Sequence, residues 1–199
     1  TVNFATGDIT VTECVHSDFT TSSSTVYGST CTEATNAVTP TVLVAADKFT
    51  DALDNDNSVS NTYTWTYDTA KPTMTITSNT IASGGTTATA AVVLIYTSNE
   101  ATDDFATGDI TDTGCTDDSF TTSSSTVYGS TCTVAADGAA SIVVAADTFT
   151  DTAGNDNTVS NTYSWTQDDT GPTMTITSNT VASGATTATA AIVLIYTSN

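Results

Sequence analysis

"FTTSSSTVYGSTCT" spans Phe19–Thr32 and returns without a change at Phe120–Thr133. The stretch is built from Ser, Thr, Gly and a few β-forming residues around one Cys, and it holds no obvious catalytic group. The repetition extends on both sides of it. "FATGDIT" begins at Phe4 and at Phe105, and "VAADKFTD" at Val44 is answered by "VAADTFTD" at Val144. "NDNSVSNTYTWT" at Asn55 is answered by "NDNTVSNTYSWT" at Asn155, and "PTMTITSNT" stands at Pro72 and at Pro172. The offset is 101 residues before a one-residue deletion in the loop after the second Cys, and 100 after it. That period is too long for a helical solenoid unit and suits a tandem array of whole small domains.

Within each copy the pattern is that of strands. Thr, Val, Ile, Tyr and Trp fill short runs that Gly, Asn, Asp and Ser punctuate. In "TMTIT", Met74 and Ile76 face one way and Thr73, Thr75 and Thr77 the other; "NTYTWTY" alternates in the same way through Tyr63, Trp65 and Tyr67. No stretch has an amphipathic helical period. About seven short strands per hundred residues, with regular turn signals, predict an all-β fold of tandem immunoglobulin-like β-sandwiches.

Composition narrows the function. The chain has 199 residues, two Lys+Arg against 22 Asp+Glu, and a net charge of -20. So few cations cannot neutralise a phosphate backbone, which excludes nucleic-acid binding, and an anionic membrane surface repels such a chain. The acidity suits a solvated extracellular surface, either for solubility alone or for binding divalent cations. No apolar run reaches the ~18 residues of a membrane span, so no membrane insertion is expected in this segment. With no initial Met, no signal-like start and an ending at "LIYTSN", the sequence reads as a window of a longer polypeptide.

"TDTAGNDNTVSNTYSWT" from Thr150, followed by an Asp-rich linker, a Pro and a Thr-alternating strand, resembles the bacterial Ig-like repeat of very large surface adhesins and surface filament proteins. "YTSNEATDDFATGDITDTG" from Tyr96 is similar to that family's second strand and the segment after it. The resemblance covers the whole chain and places the family boundary just before the Pro of "PTMTIT". It implies one complete domain at 71–170, a C-terminal part lacking its first two strands at 1–70, and those two strands alone at 171–199. The tail is then expected to complete the head of a following unit, either in one long chain or between subunits.

Four cysteines allow three pairings, and the repeat symmetry selects Cys14–Cys31 and Cys115–Cys132. A metal site fails on ligand count, because His16 is the only His and no two Cys are closely spaced. Disulfides point to an oxidising, extracytoplasmic location, extracellular or on the cell surface. The resembled family has small residues such as Gly where Cys115 sits, so these pairs depart from its pattern.

Catalytic constellations are missing. His16 is replaced by Asp117 in the second copy, and "SGGTT" at Ser83 lacks the Lys and helix of a phosphate cradle. No enzyme activity and no required cofactor are expected. Two acidic sets recur: Asp51, Asp54 and Asp56 with Asp151 and Asp156, and Asp68 with Asp168 and Asp169. Glu100, Asp103 and Asp104 follow the second strand. The resemblance implies calcium at domain junctions through such loop and linker residues; the alternative is a set of solvated acidic turns.

No Asn lies in an N-glycosylation sequon. Thr21, Ser22, Ser23 and Ser24, with Thr122, Ser123, Ser124 and Ser125, are candidate O-glycosylation positions, unless Thr and Ser serve only as strand formers and solubilisers. "ATAAVVLIY" is apolar on both faces. With Val92, Leu94 and Tyr96 in the core, Ala91, Val93 and Ile95 face outward, as do Ala191, Val193 and Ile195 in the second copy. Burial on both faces implies a covering layer, either a domain or subunit contact or the unit's own loops. The expected function is a structural repeat of an extracellular fibre, filament or stalk that self-associates or continues as a longer tandem array. The alternative is a calcium-stiffened adhesin that binds a surface or a glycan.

Overall fold

The computed structural model describes residues 1 and 3–199. The head, residues 1–70, contains β1 (Ile9–Thr12), β2 (Val15–Thr21), β3 (Tyr27–Thr32), β4 (Thr41–Val44) and β5 (Tyr63–Thr64). The middle, residues 71–170, contains β6 (Met74–Ser78), β7 (Thr86–Thr87), β8 (Ala91–Ser98), β9 (Ile110–Thr113), β10 (Thr116–Thr122), β11 (Val127–Thr133), β12 (Gly138–Val144) and β13 (Tyr163–Gln167). The tail, residues 171–199, contains β14 (Met174–Thr177) and β15 (Ile195–Ser198). Helix among the described residues is limited to two 3-10 turns, Thr6–Asp8 and Thr107–Asp109.

The middle is a closed sandwich. One sheet runs β10-β11-β8-β6 and the other β7-β13-β12-β9. Alternation decides which side chains enter the core: Val92, Leu94 and Tyr96 from β8, Ile142 and Val144 from β12, and Tyr163 and Trp165 from β13 are all buried. Phe105, the aromatic of the second "FATGDIT", is the hub, with ring centroids 5.0 Å from Tyr128, 5.1 Å from Phe149 and 5.7 Å from Tyr96 and Phe120. It is held by its own motif, because Asp109 Oδ2 accepts the Ala106 N–H at 2.8 Å and fixes the turn beneath it. The chain crosses between sheets at Gly114. This residue has φ 73°, and a Cβ there would lie 2.1 Å from the Ala139 carbonyl oxygen. The next residue, Cys115, is bonded to Cys132 on β11, with the Cα atoms 5.7 Å apart.

The flanking segments use the same sequences with a different outcome. The head forms a three-stranded sheet, β1-β4-β5, and a separate β2-β3 pair; the tail forms β14-β15 alone. No strand pairing joins head to tail among the described residues. The expected strand through Tyr63, Trp65 and Tyr67 is reduced to Tyr63–Thr64. Its counterpart β13 extends to Gln167 because β12 begins at Gly138 and pairs with it along its whole length, with β7 on the other edge; in the head Pro40, which has no N–H to donate, stands where Ala140 stands, and β4 begins only at Thr41. Met74 and Tyr96 are 3% and 0% exposed, whereas Met174 and Tyr196 are 60% and 61% exposed. The residue types are the same, and the opposing layer is what differs.

Candidate functional site

Three acidic side chains distant in sequence meet at the entry to the middle sandwich. Asp68 lies in the linker before β6, Glu100 follows β8, and Asp151 sits in the loop between β12 and β13. Carboxylate oxygens of all three lie within 4.8 Å of one another. Asp151 is buried and the other two are half-buried. The loop is shaped by an Asx-type turn: Asp151 Oδ1 accepts the N–H groups of Ala153 (2.8 Å) and Asn155 (2.9 Å), and its Oδ2 accepts from Asn155 Nδ2 (2.9 Å). Asn155 Nδ2 also donates to the Asp68 carbonyl at 3.1 Å, which ties the linker to the loop. A bridge between Thr102 and Asp151 brings the segment after β8 alongside.

The electrostatics follow from this crowding. Burial raises the Glu100 carboxyl above its ordinary value, and the charges of Asp151 and Asp68 add to the rise. Burial also pushes Asp151 upward, but the hydrogen bonds from Asn155, Ala153 and Gly154 outweigh it and hold the group below the ordinary carboxylate value. Oxygen-only ligation of this kind suits a hard divalent cation, for which three carboxylates and the neighbouring carbonyls supply part of the coordination shell.

The other candidate acids do not converge. Asp51 repeats the Asx turn, accepting from Leu53 N and Asn55 N, yet it is exposed. Those hydrogen bonds, from the Asn55 side chain foremost, lower its pKa. Asp54, Asp56, Asp103 and Asp156 are exposed. Asp104 is committed to Thr150, taking its N–H at 2.8 Å and its hydroxyl at 3.2 Å. Asp168 accepts the Thr170 N–H, and the Asp169 N–H donates to Asp137.

Ala91 and Val93 are exposed and Ile95 is half-buried on the outer face of β8, although β8 is paired on both edges by β6 and β11. The unit's own loops therefore do not cover this face. Ala191, Val193 and Ile195 are exposed as well. Thr21–Ser24 and Thr122–Ser125 are exposed at the tips of β2-β3 and β10-β11, each tip closed by paired N–H bonds to Val26 or Val127. Cys14 and Cys31 are bonded like Cys115 and Cys132, with Cα atoms 5.6 Å apart, so both pairs are those the repeat symmetry selects. His16 is half-buried, and its Nε2 has no hydrogen-bond partner among the described residues.

Sequence reasoning missed the amides. Asn157 is fully buried; its Oδ1 accepts from Thr148 N and Phe149 N, and its Nδ2 donates to Ala145 O and Thr158 O. Asn57 makes the same four-way clamp in the head. Asn161 reaches across to β6, accepting from Ile76 N at 2.7 Å and donating to Ile76 O at 3.0 Å. Asp137 secures the exit linker through Asp169 N and the Thr170 hydroxyl, which together lower its pKa, Thr170 foremost. The recurring "NDN" and "SNT" triplets were the available signal, but an amide's partners are set by the fold and not by spacing.

The family model for the bacterial Ig-like domain matches residues 68–166. No curated protein and no solved structure matches the chain. The two sheets of the middle unit, its single core and this match agree, and the chain belongs through residues 68–166 to the bacterial Ig-like domain family.

Proposed function

We propose that this chain is a structural repeat segment of an extracellular fibre, filament or cell-surface stalk, in which completed Ig-like units are joined end to end. The observation that carries this reading is that the same strand pairs, disulfide and buried-amide clamp recur about 100 residues apart along one chain. Near-identical small domains in tandem build an extended rod in which each unit contacts its neighbours. The two disulfides are consistent with an extracytoplasmic location. The family is typically non-enzymatic, and we read this chain as non-catalytic. Negative-stain microscopy of the protein from its native source tests the proposal: filaments or beaded strings are expected, and compact isolated particles would refute it.

A second reading, a calcium-stiffened adhesin repeat, is favoured by the Asp68–Glu100–Asp151 cluster between linker and sandwich. A cation there would relieve the repulsion on Glu100 and stiffen the junction. Calorimetric titration with calcium checks it. A melting temperature that is the same in calcium and in chelator removes this reading and leaves the first untouched. For the Ser/Thr tips, intact-mass measurement of material from the native source distinguishes O-glycans from the bare chain.

A further inference from the structure

We infer that the peptide group joining Asp68 to Thr69 is a coupler that locks the head to the middle at one fixed angle without a bound ion. This is a property of one chain and holds whether or not chains assemble. The two ends of that group are gripped by different units. The Asp68 carbonyl accepts from Asn155 Nδ2 of the middle at 3.1 Å, and the Thr69 N–H donates to Asn36 Oδ1 of the head. Both atoms belong to one planar trans group, so they point to opposite sides of the linker. A linker swivels through torsions that neither neighbour holds. Here the two holds meet on the same plane, and no rotatable bond of the linker lies between them.

The residues on either side are fixed as well. On the head side, the Tyr67 N–H donates to the Val38 carbonyl at 3.0 Å and the Ala37 N–H to the Tyr67 carbonyl at 2.9 Å, which anchors the backbone next to Asn36. On the middle side, the Thr158 N–H donates to the Pro72 carbonyl at 2.9 Å. Between these anchors Asp68 Oδ1 accepts the Ala70 N–H at 2.9 Å and closes a turn. Pro72 fixes its own φ and restricts Lys71 to extended backbone, and "YDTAKP" contains no Gly. Lys71 Nζ lies 3.5 Å from Asp147 Oδ1, but both side chains are exposed and such a pair adds little. Asn155 is oriented before it reaches the linker, because its Nδ2 also donates to Asp151 Oδ2 at 2.9 Å.

Both grips are built into the repeat. Asp137 stands at the position of Asn36, and its Oδ1 accepts the Asp169 N–H, the counterpart of the Thr69 N–H, at 2.9 Å. Asp168 Oδ1 accepts the Thr170 N–H at 3.1 Å, as Asp68 Oδ1 accepts that of Ala70. On the entry side, Asp51 holds Asn55 as Asp151 holds Asn155. Each unit thus carries an acceptor at its exit and an oriented amide at its entry. The coupler lies beside the Asp68–Glu100–Asp151 carboxylates, but it uses the Asp68 main chain and not the Asp68 carboxylate. An ion at those carboxylates is therefore not required for the hold.

Residual dipolar couplings of the isotope-labelled full chain in a neutral stretched gel, with chelator present, test the coupler. A rigid pair of units shares one alignment tensor, and a hinged pair does not. The wild type should fit one tensor. Asn36→Ala/Asn155→Ala should split it, with the head tensor reduced in magnitude relative to that of the middle. Asn55→Ala removes the equivalent bond to Asp51 without touching the linker, and it should keep the single tensor. Couplings fitted within each unit alone check its fold in every variant. Two tensors in the wild-type chain would overturn the coupler, and so would a single tensor that appears only when calcium is added. A double variant that still fits one tensor would overturn it as well. End-to-end assembly is decided separately, by the microscopy of native material.

Discussion

Removing the Cys115–Cys132 bond should destabilise the middle sandwich strongly, and removing Cys14–Cys31 should not. The two bonds close loops of the same length, with a sequence separation of 17 in each. In the chain-entropy account such a loop restricts the unfolded chain by about 10–11 cal/mol/K, or about 3 kcal/mol at 25 °C. The term counts only where the bonded residues belong to a cooperatively folded core. Cys132 is fully buried in the core of the middle, with Cys115 packed against it, whereas Cys14 and Cys31 are only half-buried in a head whose two sheets enclose an open groove. For a domain of this size 3 kcal/mol corresponds to roughly 12–24 °C in melting temperature. Calorimetry of Cys115→Ala/Cys132→Ala should show that fall in the main transition. Cys14→Ala/Cys31→Ala should leave it within about 2 °C. Equal shifts for the two double variants would refute the reasoning, because they would mean that head and middle unfold as one unit.

Three further outcomes follow from single residues. Gly114→Ala should cost at least about 2 kcal/mol by urea unfolding, since it combines a left-handed backbone with a Cβ 2.1 Å from the Ala139 carbonyl oxygen. Asn157→Leu should cost about 3–5 kcal/mol, because it strands two N–H groups and two carbonyls around a buried side chain; Asn57→Leu should leave the main transition in place. Asp117→Asn should raise the melting temperature at neutral pH. Burial lifts the Asp117 carboxyl above its ordinary value, against the hydrogen bond from Ser130 and with help from Asp112 and Asp118. A carboxyl raised in the folded state favours folding below its unfolded pKa and opposes it once pH has risen through the folded pKa. The gain from Asp117→Asn should therefore shrink on acidification and vanish below the ordinary carboxylate value of about 4.

The sequence was most legible where a local pattern determines the outcome. Alternation in "TMTIT" and "AVVLIY" placed Met74, Ile76, Val92, Leu94 and Tyr96 inward, and all five are buried. It was least legible where side chains from separate loops meet. Asp68, Glu100 and Asp151 stood among eleven candidate acids, and nothing in their spacing distinguishes them from Asp54 or Asp156; the β12–β13 loop and the Asn155 bond to the linker bring them together. Asn157 lies in a motif, "NDNTVSN", whose acids carry the only conspicuous charge, while its amide satisfies four backbone groups. Phe105 carried no sign of being the hub beyond its repetition at Phe4, which meets Phe19, Tyr27 and Phe49 at 4.9–5.7 Å in the same way.

One hairpin sequence in two surroundings explains why repeat identity does not transfer burial. Residues 74–98 and 174–198 share their strand register, so local preference is the same in both. An isolated two-stranded hairpin is marginal in water, and a third strand with an opposing apolar layer is what stabilises it. For 74–98 that layer is supplied by β11 on one edge and by Tyr163 and Trp165 across the core. For 174–198 no third strand pairs with β14-β15 among the described residues, and Met174, Ile176, Leu194 and Tyr196 stay exposed. Charge does not separate the two hairpins either, since residues 72–99 and 171–199 alike contain no Asp, Glu, Lys or Arg; burial follows the opposing layer and not the composition of the hairpin.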